Sequence, residues 1–234
     1  MYQFNSRVRF SETDKNRTLT LEAIVDYFQD CSTFQTEDLG VGFSYLLPQN
    51  LTWVLAYWQI EVEEYAKLGQ EIKICTLPYD FKSCLGKRNF FMENADGRRI
   101  VKADSLWTLL DLKKMFPAKV PEKIREAYPK EEKIEMEYLP RKITITGEEE
   151  KAEQVVVQKH HLDCNGHVNN GQYIKLASAY LPEGFEITRM RAEYKKQAYS
   201  GDVFYPYIYK SREAIIVCLN DEDKKPYVVV EFCK

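Results

Sequence analysis

Leu21, Ile24, Val25 and Phe28 follow the i, i+3, i+4, i+7 spacing that gathers apolar side chains on one face of a helix. Tyr173, Ile174, Ala177 and Leu181 make a similar stripe much later in the chain. Thr20 before the first stripe, and Asn169 or Asn170 before the second, are N-cap residues whose side chains accept from unpaired first-turn N–H groups. After each predicted helix the pattern turns to strands. LTWVLAYWQIEVEEY reads as a strand covered on both faces at its start, followed by EIKICTLPYDF, GKRNFFMEN and RIVKADSLWTLLDL. Asp96-Gly97 marks the hairpin between the last two. The second half offers ITRMRAEYKKQ, VFYPYIYK, AIIVCLN and PYVVVEF, with NDEDKK as the final turn.

The two halves also match residue by residue, though weakly. At one constant offset Asp14 falls on Asp163, Asn16 on Asn165 and Thr18 on His167, while Ile24, Val25 and Phe28 meet Tyr173, Ile174 and Ala177. Gly69 corresponds to Gly201 at a different offset, so the copies differ in loop length. Between them, from about Pro117 to Glu150, runs a connector rich in proline and charge that is expected to cross the surface. The organisation expected is therefore two halves, 1–138 and 139–234.

Composition adds mainly exclusions. Hydrophobic residues at 44% and charged ones at 29% describe an ordinary globular chain. Lys+Arg 33 against Asp+Glu 36 leaves a net charge of −3, so no global positive field gathers nucleic acid. The start of the chain lacks the apolar core of a signal peptide, and no stretch nears the roughly 18–20 apolar residues that span a bilayer. Six cysteines without CxxC spacing read as free thiols in a reducing cytoplasm. Neither metal nor cofactor is expected, nor a membrane or nucleic-acid partner; a homodimer is allowed.

The chemistry concentrates in HHLDCNGHVNN, where all three histidines, His160, His161 and His167, crowd together. Its D-x-N-x-H-V-N-N pattern (Asp163, Asn165, His167, Val168, Asn169, Asn170), with the repeat order and the connector, resembles the acyl-acyl carrier protein thioesterases. The resemblance implies an α+β tandem (double) hotdog fold, two antiparallel sheets each wrapped around a long helix. It implies hydrolysis of fatty acyl-acyl carrier protein in fatty acid biosynthesis, with the acidic acyl carrier protein as partner. It assigns catalytic roles to Asp163, Asn165 and His167, and the acyl pocket to the N-terminal half. An acyl-CoA thioesterase on the same fold and a non-catalytic acyl-ligand sensor are the alternatives.

Read as chemistry, His167 suits proton transfer near neutrality. Asn165 can orient water or substrate with both donor and acceptor atoms. Asp163 accepts a proton or orients His167. Backbone N–H groups at Gly166 and Val168, near a helix N-terminus, are candidate oxyanion donors. The residues alone leave a second reading open, in which Asp163 and Asn165 merely cap a turn. Cys164 offers a thiolate alternative, although a locally extended chain turns it away from 163 and 165. His160, His161, Asp163 and His167 could together suggest a metal, but adjacent histidines point apart on a strand.

One position departs from the plant-type pattern. Where those relatives carry Glu-Cys, EYKKQAYSGD places Gln197 and Ala198. An amide cannot act as a base, although Gln197 can still hold water or a carbonyl. Glu193 lies roughly 13 Å away along the strand and is no replacement. The first half has Thr18 where the second has His167, so it lacks the full site. Trp53, Tyr57 and Trp58 on its aromatic strand are candidate walls for an acyl chain. Arg189, Arg191, Lys195 and Lys196, with Lys175, form a candidate basic docking face for the carrier.

Overall fold

The computed structural model describes all residues, Met1–Lys234. In chain order the elements are β1 (Tyr2–Arg7), α1 (Leu21–Asp38), α2 (Phe43–Leu46), β2 (Leu51–Val62), β3 (Glu71–Lys82), β4 (Leu85–Asn94), β5 (Arg99–Asp111), β6 (Phe116–Pro117), α3 (Glu122–Ala127), β7 (Glu148–Lys151), β8 (Val155–Val156), α4 (Asn170–Ser178), β9 (Arg189–Tyr194), β10 (Val203–Lys210), β11 (Ala214–Asn220) and β12 (Pro226–Cys233). They fall into two compact units, Met1–Ala56 with Glu63–Tyr138, and Tyr57–Val62 with Leu139–Lys234. The second part of β2 thus belongs with the C-terminal residues, a loan that a division along the chain does not anticipate. No helix is long and apolar enough to cross a membrane.

In the first unit antiparallel strands run in the order β1-β3-β4-β5, and α1 packs on one face. Thr20 Oγ1 accepts from Ala23 N–H at 3.4 Å, and Ile24, Val25, Phe28 and Cys31 are completely buried. Phe28 meets Phe90 of β4 with ring centroids 5.1 Å apart. In the second unit the order is Tyr57–Val62, then β9-β12-β11-β10-β7, all antiparallel. Asn169 is the cap of α4, with Oδ1 accepting from Gly171 N–H at 2.6 Å. Tyr173 of α4 packs between Tyr194 and Phe204. The helix stops at Ser178, so Leu181 lies beyond it, ahead of Pro182, where the chain is steered out of helical geometry.

Each unit therefore repeats one plan: a strand, a one-turn 3₁₀ segment, a tight turn, a helix and a run of antiparallel strands. The hairpin turns repeat as well. Asn94 Oδ1 accepts from the N–H groups of Asp96 and Arg98, and Asp221 Oδ1 from those of Asp223 and Lys225.

The connector differs from the surface linker its composition suggests. Val120, Ile124 and Tyr128 are buried in a cluster with Val41, Leu46, Leu51 and Leu109. Ile134 packs on Cys75, Leu77 and Phe91 in the first unit, and Ile143 on Tyr207, Ile216, Cys218 and Val229 in the second. Buried polar side chains take up its backbone N–H groups: Asn89 Oδ1 accepts from Ile134, Gln59 Oε1 from Leu139 and Glu193 Oε2 from Ile143. The Ile134 and Ile143 contacts lie on the sheet faces opposite the helices, since Phe91 alternates with the helix-facing Phe90 and Glu193 with Tyr194, whereas Tyr128 lies over Arg88, which donates to Gln35 of α1. A few apolar residues at long intervals anchor a strap without giving it a periodic signal.

Candidate active site

An isolated bridge between Leu162 and Val168 closes the five-residue loop Asp163–His167 immediately before α4. Within it Asp163 N–H donates to His167 O at 2.8 Å, and Gly166 N–H to Asp163 O at 3.1 Å. Asp163 Oδ1 accepts from the N–H groups of Asn165 at 2.8 Å and His167 at 3.3 Å. Gly166 sits at φ +76°, left-handed backbone that other residues adopt only at a cost. The loop is tied to the segment after β9, because Val168 N–H donates to Ala198 O at 2.9 Å. Ala198 N–H in turn donates to the Tyr173 hydroxyl at 3.0 Å.

The first unit contains the same construction. Thr13 bridges Leu19; Asp14 Oδ1 accepts from Asn16 and Thr18 N–H, both at 2.9 Å; and Leu19 N–H donates to Ala66 O at 2.8 Å. Arg17 takes the left-handed position of Gly166, at φ +59°. The capping reading of Asp163 is therefore realised: its Oδ1 builds the turn, as that of Asp14 does. What distinguishes the two copies is the side chain presented by the turn, Thr18 in one and His167 in the other.

The His167 ring is partly exposed, with Nε2 3.3 Å from the hydroxyl of Tyr199 and ring centroids 4.9 Å apart. Asn165 is exposed, and its Nδ2 lies 3.4 Å from Asp163 Oδ2. Gln197 is partly exposed and directly precedes Ala198, the residue that anchors the loop. His161 is buried, its Nδ1 accepting from Gln158 N–H at 3.1 Å. Burial, helped by His160 and Lys175, pushes its pKa down, so it stands as a neutral structural histidine. His160 and Cys164 are exposed. Tyr199 escaped the sequence reading; its one signal was the Gly69–Gly201 offset, which sets Tyr199 opposite Lys67.

Three expectations need correction. The N–H groups of Gly166 and Val168 are committed to Asp163 O and Ala198 O, so neither is an available oxyanion donor. Tyr57 and Trp58 do not share one wall of a pocket. Trp53 packs on Phe81 in the first unit's apolar cluster, whereas Tyr57 and Trp58 are buried neighbours on opposite strand faces, and the Tyr57 hydroxyl bonds Gln59. The basic docking face is largely neutralised within the second unit. Arg191 makes a two-pronged pair with Glu231 at 2.7 and 2.8 Å, Lys195 binds Glu193, and Lys196 binds Asp221 at 3.1 Å. Lys175 stays exposed.

Comparison with known proteins supplies the family. Residues 1–128 match the acyl-ACP thioesterase N-terminal domain and residues 144–218 the acyl-ACP thioesterase C-terminal domain. A chloroplastic acyl-(acyl-carrier-protein) hydrolase of Cuphea viscosissima is 24% identical over 206 residues, 81% of this chain and 50% of that protein. The chain thus spans about half the length of such curated relatives. Among solved structures, an acyl-ACP thioesterase from Bacteroides thetaiotaomicron superposes with a TM-score of 0.89 at 23% identity, over 99% of this chain and 96% of that one. The 12:0-ACP thioesterase from Umbellularia californica gives 0.83 at 15% identity, over 99% and 95%. These likenesses show a shared fold, and the two matched domains establish that the chain belongs to the acyl-ACP thioesterase family.

Proposed function

We propose that the chain hydrolyses fatty acyl-acyl carrier protein to free fatty acid and carrier thiol, on a tandem hotdog fold, with the chemistry at His167. The observation that carries this reading is the contrast between the copies. One turn geometry is built twice, and only the second carries an imidazole, at the protein surface beside an exposed carboxamide.

In this reading the His167 imidazole takes a proton from the attacking water and returns it to the departing thiolate, the general acid–base role that imidazole chemistry suits. Asp163 holds the backbone of Asn165 and His167 in register and so acts through them. Asn165 and Gln197 orient water and the thioester carbonyl. With the turn's own N–H groups engaged, donors to the developing oxyanion come from side-chain amides, chiefly Asn165 Nδ2, which has a second N–H beyond its contact with Asp163. The acyl chain is assigned to the first unit, where Trp53 borders the apolar cluster of Val41, Leu46 and Tyr128.

The test is release of free thiol from an acyl-chain series presented on acyl carrier protein and on coenzyme A. Turnover that is faster on the protein carrier is expected. Preference for coenzyme A would move the assignment to an acyl-CoA thioesterase, and no turnover on either carrier at any chain length would leave an acyl-binding protein.

A further inference from the structure

We propose that Tyr199 is the positioning residue for His167: its hydroxyl accepts from Nε2–H and leaves Nδ1 as the basic nitrogen that faces water. This rests on the hydrolase reading for its purpose, but not for its geometry.

Two clamps join the turn to the segment after β9. The backbone clamp, Val168 N–H to Ala198 O, has an equivalent in the first unit in Leu19 N–H to Ala66 O. The side-chain clamp has an equivalent too, with different chemistry: Lys67 Nζ donates to Thr18 Oγ1 at 2.7 Å, where the second unit sets Tyr199 beside His167 at 3.3 Å. A lysine opposite His167 would only donate, and its charge would oppose a protonated ring. A tyrosine hydroxyl accepts from Nε2–H in both the neutral and the protonated ring, so the ring can gain a proton at Nδ1 without moving. The hydroxyl is able to donate to a bare Nε2 as well, but only the Nε2–H form lets the ring gain its proton at Nδ1 without losing the contact.

Tyr199 is itself held. Its N–H donates to Asp202 Oδ2 at 2.9 Å, and Asp202 N–H donates to Tyr199 O at 3.1 Å. The charged groups around the pair are Asp163 on the turn and Asp202 behind the tyrosine, each accepting from backbone N–H groups. Lys175 of α4 acts on the neighbouring His161. Tyr199 is 50% exposed, so exchanging its hydroxyl for hydrogen leaves the packing intact.

The experiment is nitrogen-15 NMR of the histidine rings in wild type and Tyr199→Phe, with His167→Gln to assign the signals, beside the kinetics of thiol release. Wild type is expected to show His167 as the Nε2–H tautomer. In Tyr199→Phe the tautomers should mix, because the hydroxyl that holds the Nε2–H form is gone. Turnover should show kcat down ~10-fold with KM nearly unchanged. An Nδ1–H tautomer in wild type would overturn the proposal, as would an unaltered ring spectrum in Tyr199→Phe even with kcat reduced. The spectra need no substrate, so a failure of the hydrolase reading would appear separately, as wild-type protein without turnover.

Discussion

Asp163, Asp14, Asn94 and Asp221 all do the same local job: one side-chain oxygen takes the N–H groups two and four residues ahead. Four uses of one device in one chain mark it as a way of closing turns, not as a signature of catalysis. Asp14→Ala and Asp163→Ala should therefore each lower stability by about 1–2 kcal/mol, read by thermal unfolding. Only Asp163→Ala should also reduce turnover, because only its turn carries His167. The candidate residues themselves were legible in the sequence, since Asp163, Asn165 and His167 stand together in one short run. Which oxygen was already spent on backbone was not legible, because composition cannot separate a capping carboxylate from a reactive one. Tyr199 was hidden for a different reason: it reaches His167 from a distant segment, and spacing within a motif carries no information about that.

At the scale of elements, the two helix stripes, their caps and the eight main strands after the helices were all readable, because each buries a regular face. β1 was missed; its strictly alternating half-burial produces no apolar run in YQFNSR. The connector was misread because its anchors Ile124, Ile134 and Ile143 are too widely spaced to look like an element, yet each is nearly or wholly buried. Ile124→Ala should cost about 2–4 kcal/mol, a core-sized loss that a surface linker would not show, measurable in a denaturant titration. The outer face of the second unit makes a matching point with charge. Arg191 and Glu231 are mostly buried and paired by both guanidinium prongs, so Glu231→Gln should destabilise by about 3 kcal/mol, since it strands the guanidinium. A docking role for Arg191 would instead predict little change in stability.

The whole molecule repeats one plan and differs between copies in where it places polar groups. Under the first unit's part of the strap, Asp104 accepts from Tyr79 and Asn89, and burial raises its pKa to about 6. A carboxyl raised in this way binds its proton more tightly folded than unfolded. Its contribution therefore favours the fold below about pH 4 and is lost as pH rises through 6. Asp104→Asn, which keeps an acceptor for Tyr79, should raise stability at pH 7 by about 1–2 kcal/mol and leave it unchanged near pH 4. Comparing the two unfolding curves at both pH values tests this. The second unit spends its asymmetry on the surface, at the His167 turn.

The most direct measurement of the central claim exploits the duplication: thiol release from acyl-acyl carrier protein by wild type, Thr18→Ala and His167→Ala. The two substitutions remove matching side chains from matching turns, so their structural effects should be alike. The account predicts wild-type turnover from Thr18→Ala within about twofold and a loss of ~100-fold or more from His167→Ala. Equal turnover by all three proteins would contradict it.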